Sequence, residues 1–296
     1  MRDFLEYFLV KSFLSLTKIL PNNATYALCK NVALLFFKFE KRRRNLTLKN
    51  LQLIYPQMSE NEVLALAQKI YENVAITIAE ILLMMTDKLD MDAMVENGEE
   101  AIEDVKKYSS SAKNGIIMLT AHFSNWELLA HYVAYKGFPL KVVGRRGNNT
   151  YIEERLTTPF REKFGNQNLY KELAATGMIR ALRNKETVGL LIDQKSGGPS
   201  SIPVRFFDHP ADTTNSIAIL KLKYNPLVLP MFAIRQPNGH YRILTLEPIE
   251  YIAQEEENQT ERIAKMTQFY NDIMEEVIRA YPEQWFWMHN RWRLPK

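Results

Sequence analysis

The stretch GIIMLTAHFSNWELLAHYVAYKG, residues 115–137, decides the fold. Its opening run GIIMLT is short, apolar and β-prone, the pattern of a buried strand over 115–120. NWELLAHYVAYKG then reads as a helix that stops at Gly137, a natural C-terminal residue for a helix. The alternation continues downstream. LKVVGR (140–145), TVGLLID (187–193), PLVLPMFAI (226–234) and HYRILTLEPIE (240–250) read as strands, the last two paired through the turn QPNG. NTYIEERLTTPFREKFG, MIRALRNK and TTNSIAILKLKYN (213–225) read as helices, and a final amphipathic helix is predicted over residues 256–280. Strands alternating with helices predict an α/β fold, a mixed central sheet flanked by helices. Ahead of it, Ser59 and Glu62 have the spacing of a capping box for a helix over residues 60–86, after the break at Pro56.

The chain has 296 residues, enough for one large domain or a domain with an added element. Hydrophobic residues make up 46% and charged residues 24%, which excludes a disordered chain and a polytopic membrane protein. A net charge of +4 is too mild for a dedicated nucleic-acid binder but suits anionic surfaces or phosphates. The single Cys29 excludes an internal disulfide framework and fits a reducing compartment. No Gly-rich phosphate loop and no Cys/His zinc spacing is present in the sequence.

FLEYFLVKSFLSLTKIL (4–20) is mostly apolar but carries Glu6, Lys11 and Lys18, and no small-residue cleavage site follows it. Lys11, Ser15 and Lys18 recur at helical spacing and form one polar stripe. ATYALCKNVALLFFKFE (24–40) continues the theme, and KRRR (41–44) follows at once. Charge interrupts the run of about 20 apolar residues that a clean span requires. The expectation is an interfacial or marginally spanning anchor over residues 1–44 with a basic flank, ahead of a domain over 45–296. The competing reading is a helical hairpin packed on the domain with a solvated basic turn.

His122 lies two residues beyond the predicted strand 115–120, where α/β sheets bind ligands. Glu127 follows five residues later. On one helix that separation is about 500°, so the two side chains meet only with the histidine in the loop and the glutamate in the first turn. Ser124 as N-cap and Glu127 at the third helical position would instead form a capping box. Spacing alone leaves both readings open. A metal site from Glu127, His131 and His122 lacks the usual H-E-x-x-H arrangement, and His131 sits among apolar neighbours.

The motif His-x4-Glu in HFSNWE resembles the active-site motif of the late acyltransferases of lipid A biosynthesis, the lauroyl/myristoyl transferase family. The likeness extends from residue 42 to 293. RRRNLTLKNLQLIYPQMSENE (42–62), FREKFGN (160–166), LLIDQKSGG (190–198), FFDHPADTTNSIAIL (206–220) and PEQWFWMHNRWR (282–293) are similar to that family's segments and stand in its order. Lys195, Asp212 and Asn215-Ser216 depart from the family's pattern.

The resemblance implies a glycerolipid-acyltransferase-like fold and transfer of a fatty acyl chain from acyl carrier protein to a hydroxyl on a lipid A precursor. An acyltransferase acting on another glycolipid or glycerolipid is the alternative. It implies His122 as general base, since a neutral imidazole suits that task near neutral pH. It implies Glu127 as the group orienting it, Arg161 as oxyanion or phosphate partner, and Asp193, Gln194 and Asn125 as substrate-binding residues. No cofactor is implied beyond the acyl donor. The implied partners are acyl carrier protein, the lipid A precursor and membrane lipids, at the cytoplasmic face of the inner membrane. Lys141, Arg145 and Arg146, with Arg180, Arg183 and Lys185, form two cationic clusters suited to phosphates or an acidic carrier, or to a solvated face.

Overall fold

Ile116–Thr120 forms strand β1, buried at every position, as the apolar run predicts. A computed structural model describes residues 1–170, 174–254 and 258–294. Alternate residues of β1 feed two cores: Ile117 and Leu119 pack on one face of the sheet, Ile116 and Met118 on the other. The remaining strands are β2 (Leu140–Gly144), β3 (Gln167–Tyr170), β4 (Thr187–Leu191), β5 (Ser201–Phe206), β6 (His209–Thr214), β7 (Leu227–Arg235) and β8 (Tyr241–Thr245). Among the described residues six of them make one sheet, in the order β3-β2-β4-β1-β7-β8. The first five run parallel and β8 pairs antiparallel with β7, so the predicted mixed sheet is present. The parallel strands all point their carboxyl ends to one edge, where His122 and Asp193 follow β1 and β4.

The helices before β1 are α1 (Arg2–Ile19), α2 (Asn22–Phe39), α3 (Lys41–Ile54), α4 (Glu60–Met85), α5 (Met91–Met94) and α6 (Gly98–Ser111). Those that follow are α7 (Trp126–Tyr135), α8 (Thr150–Ile152), α9 (Thr158–Arg161), α10 (Ala174–Arg183), α11 (Ser216–Tyr224) and α12 (Gln259–Ala280). A single π turn, Glu153–Thr157, joins α8 to α9. Helices α6 and α7 cover the Ile116/Met118 face, while α10, α11 and α12 cover the other. The Ser59–Glu62 capping box is formed at the start of α4. The predicted start of the last helix at residue 256 lies outside the described residues, as do residues 295 and 296 of the expected 45–296 unit.

One prediction is corrected. Thr213 and Thr214, read as helical, lie in β6, which pairs with β5 as a separate hairpin. Its turn residues Phe207 and Asp208 both take positive φ, at 52° and 62°. Such turns are usually announced by Asn-Gly or Asp-Gly, and Phe-Asp gives no such signal. Strand β3 is only four residues long and has no apolar alternation.

At the amino end, α2 packs along α4 through Cys29 against Ala75 and Ala79, with Leu14 of α1 alongside. Burial pushes the Cys29 thiol up and makes it a poor nucleophile. The opposite face is apolar and exposed: Phe4, Phe8, Leu9, Leu35 and Phe39 are each more than half accessible. Among the described residues no helix is long and apolar enough to cross a membrane. The expected basic flank is partly tied down. Arg43 donates to the Met288 carbonyl at 3.1 Å, and Arg44 to that of Phe37 at 3.4 Å.

Candidate active site

The loop after β1 carries His122, and the segment after β4 carries Asp193, which is fully buried. Imidazole Nδ1 lies 2.9 Å from Asp193 Oδ1. The other oxygen, Oδ2, accepts the indole N–H of Trp285 at 2.8 Å. Burial alone would raise the Asp193 carboxyl, but the His122 ring, its backbone N–H and the Trp285 indole together hold it below the usual carboxylate range. An ionised carboxylate only accepts, so the hydrogen sits on Nδ1. Nε2 then keeps its lone pair. Among the described residues Nδ1 is the ring nitrogen of His122 with a protein partner. The ring also stands edge-on to Trp126, with centroids 5.1 Å apart.

The expected His122–Glu127 hydrogen bond is not what the structure holds. Glu127 turns to Arg161 on α9: Nε and Nη2 both donate to its Oε1, at 3.0 and 2.5 Å. Burial works against the Arg161 charge, but the Glu127 carboxylate outweighs it and keeps the guanidinium firmly protonated. Both residues line the same cavity as His122. The histidine and the glutamate therefore line one cavity with different partners, and Asp193 stands beside the imidazole where Glu127 was expected.

Asn125 is also corrected. It is fully buried. Its Oδ1 accepts from Leu128 N at 2.9 Å and caps α7, a place expected of Ser124, while its Nδ2 donates to Glu80 at 2.9 Å. It holds the start of α7 and lies outside the lining of the cavity that His122 faces. Ser124 instead takes φ 49°, the left-handed region, and its backbone is gripped on both sides. Its N–H donates to the Gln284 carbonyl at 2.6 Å, and its own carbonyl accepts from Thr77 at 3.1 Å. A non-glycine residue persists there only because the surroundings over-determine it.

A cavity of about 610 Å³ opens at the carboxyl edge of the sheet. Its apolar wall comes from strand residues, among them Met118, Leu140, Val142 and Gly189. Gln194 lines it, as do exposed Arg145 and Lys195, the latter a departure from the family's pattern. The other cations expected near the site are partly engaged. Lys141 bonds Gln167 at 2.8 Å and pairs with Glu186 at 3.2 Å, and the Arg146 guanidinium stacks on Tyr170 at 4.1 Å. His131 has both ring nitrogens against backbone carbonyl oxygens, of Glu127 at 2.7 Å and Phe160 at 2.9 Å, so both are engaged within the protein.

Sequence reasoning missed what holds the histidine loop. The C-terminal residues Gln284–Phe286 run antiparallel beside it, with Phe123 bridged to Trp285 and the Phe286 N–H donating to the His122 carbonyl at 3.0 Å. Behind them, buried Arg235 bonds Glu80 at 2.9 Å, and Glu80 also accepts from Tyr241 at 2.6 Å. Gln284 bonds both backbone groups of Arg235, each at 2.9 Å. The signal was the aromatic density of PEQWFWMHNRWR, which periodicity alone cannot aim at a site.

Over 277 residues the chain is 27% identical to the lipid A biosynthesis lauroyltransferase of Escherichia coli, covering 93% of this chain and 87% of that one. It is 27% identical over 259 residues to a lipid A biosynthesis acyltransferase of Haemophilus influenzae, covering 86% and 79%. The E. coli lipid A biosynthesis palmitoleoyltransferase is 25% identical over 264 residues. Residues 1–294 match the family described as bacterial lipid A biosynthesis acyltransferase, and with nearly the whole chain inside that match, the protein belongs to this family.

Proposed function

We propose that the protein transfers a fatty acyl chain from acyl carrier protein to a hydroxyl of a hydroxyacyl chain on a lipid A precursor. The observation that carries the reading is His122 at the cavity wall, with Nδ1 committed to Asp193 and, among the described residues, no protein partner on Nε2. An alcohol is a poor nucleophile until a base takes its proton. Nε2 removes that proton as the oxygen attacks the thioester carbonyl, and the Asp193 carboxylate stabilises the imidazolium that forms. The tetrahedral intermediate collapses, the C–S bond breaks, and His122 returns the proton to the departing thiolate. Arg161, aimed by Glu127, faces the negative oxygen or a substrate phosphate; loss of one oxyanion donor typically costs about 10²–10³ in rate. The thioester supplies the activation, so the reaction calls for no cofactor. Gln194 shapes the cavity beside the reacting groups.

The apolar cavity wall suits the donor's alkyl chain, while Arg145 and Lys195 suit the phosphates of the acceptor and an acidic carrier. The exposed apolar face of α1 and α2 suits the boundary layer of a bilayer. Residues 1–44 then serve as a docking unit for membrane lipids, at the cytoplasmic face of the inner membrane, ahead of an acyltransferase unit.

The test is a transfer assay with purified protein, carrier proteins loaded with chains of different length, and a tetra-acylated lipid A precursor. Addition of one acyl group by wild type, lost in His122→Ala with the fold intact by circular dichroism, supports the reading. Transfer to a glycerolipid or another glycolipid in place of the precursor overturns the acceptor assignment. Inertness toward every donor overturns the reaction.

A further inference from the structure

His122 and Trp126 line a second, smaller cavity of about 170 Å³ as well as the main one. Val74, Ile78 and Ile81 of α4 and Phe286 make its apolar wall. The spacing of four and three residues puts the α4 members on one helix stripe. Among its polar neighbours, Asn73 and Thr77 are bonded to Arg235, at 2.6 and 3.0 Å, and Gln284 is bonded to the Arg235 backbone. The surface they leave to a ligand is hydrocarbon. Among the described residues Ser124 Oγ, at this cavity, is buried without a hydrogen-bond partner. Ile78 is 47% exposed, so the groove opens outward along α4. The adjoining face of α4, at Ala75, Ala79 and Leu82, is where Leu14 of α1 and Cys29 of α2 pack.

Two hydrophobic openings that meet at one base answer a geometric requirement. The carbon bearing the hydroxyl of a hydroxyacyl chain has two arms, one toward the sugar headgroup and one an alkyl tail. With its oxygen at Nε2, the tail must leave in a direction the donor chain does not occupy. We propose that the α4–Trp126–Phe286 groove binds the alkyl tail of the hydroxyacyl chain that receives the acyl group, making Val74, Ile78 and Ile81 determinants of acceptor-tail length. The inference rests on the transfer reaction proposed above. The groove carries no cation, unlike the main cavity, and suits an unsubstituted chain. Its opening beside the α1–α2 pair lets a tail enter from the surface those helices address.

The experiment uses the full chain and a tetra-acylated lipid A precursor carrying a diazirine on the terminal carbon of a hydroxyacyl tail. After irradiation, the labelled residues are mapped by mass spectrometry. Label on Val74, Ile78, Ile81 or Phe286 supports the proposal. Label on Met118 or Val142 of the main cavity, or none in the groove, overturns it. Transfer activity is read in parallel on the unmodified precursor. Groove labelling without transfer refutes the reaction and overturns the acceptor role, leaving a lipid-tail site alone; transfer with label in the main cavity keeps the reaction and overturns the groove. Ile78→Trp, which shortens the groove, raises KM for a long-tailed acceptor about tenfold, the cost of displacing about two buried methylenes. The KM for the acyl donor moves less than about twofold on the same reasoning. Equal changes in both constants would overturn the assignment.

Discussion

With one carboxylate oxygen on His122 Nδ1 and the other on the Trp285 indole, Asp193 has both acceptors filled, at 2.9 and 2.8 Å. Asp193→Asn puts an amide against Nδ1 that can meet it as a donor, which favours the tautomer with the hydrogen on Nε2. We expect kcat to fall about 10³–10⁴-fold with the fold intact, measured by steady-state transfer and thermal melting. Glu275 supplies a second residue-scale prediction. Burial pushes its carboxyl up to about 7, although the Phe207 backbone N–H and Arg279 favour the ionised form. The folded state therefore holds a proton that the unfolded chain releases near its ordinary value, and stability falls as pH rises from about 4.5 to 7. Glu275→Gln removes that loss. Denaturant melts should show the variant more stable than wild type at pH 8, by about 1–2 kcal/mol, with the difference gone below pH 4.5. Position was legible at this scale, since His122 and Asp193 both stand at strand ends where the sequence put them. Partnership was not. Trp285 lies 92 residues from Asp193 and Arg161 lies 34 from Glu127, distances over which periodicity carries no information.

At the scale of elements, the start of α6 is fitted against α7 with no room to spare. A Cβ on Gly98 would fall 1.8 Å from the Tyr132 hydroxyl oxygen, and Tyr132 is buried. Gly98→Ala should cost about 1–3 kcal/mol, the usual scale for overpacking, read as a lower urea midpoint at unchanged slope. The strand–loop–helix unit around His122 was legible because apolar run length and helix periodicity are local properties. So was the capping box at Ser59. The cap of α7 was misplaced by one residue, at Ser124 instead of Asn125. The competing claims of Gln284 and Thr77 on the Ser124 backbone, neither local in sequence, force Ser124 out of the cap conformation. The hairpin β5–β6 escaped for a related reason: its turn carries no Gly or Asn, and its strand Ser201–Phe206 alternates irregularly.

Across the whole molecule, Glu80 Oε2 collects donors from three elements: Asn125 at the start of α7, Arg235 on β7 and Tyr241 on β8. Glu80→Ala leaves the buried Arg235 charge uncompensated and should cost about 3–5 kcal/mol in equilibrium unfolding. The exposed apolar face of α1 and α2 makes a prediction of its own. Phe8→Asp with Leu9→Asp should weaken binding to anionic vesicles at least about tenfold by co-sedimentation, since two buried apolar side chains are lost from the contact. Transfer to a detergent-dispersed acceptor should change far less.

The clamp formed by Gln284–Phe286 has a consequence for the order of events during synthesis. In a nascent chain the histidine loop leaves the ribosome long before the tryptophan that seats Asp193. Until that late segment emerges and threads beside Phe123, Asp193 lacks its indole donor and the loop at Ser124 has no reason to hold its strained backbone. The buried seat of His122 and Asp193 is therefore completed only after nearly the whole chain has been synthesised.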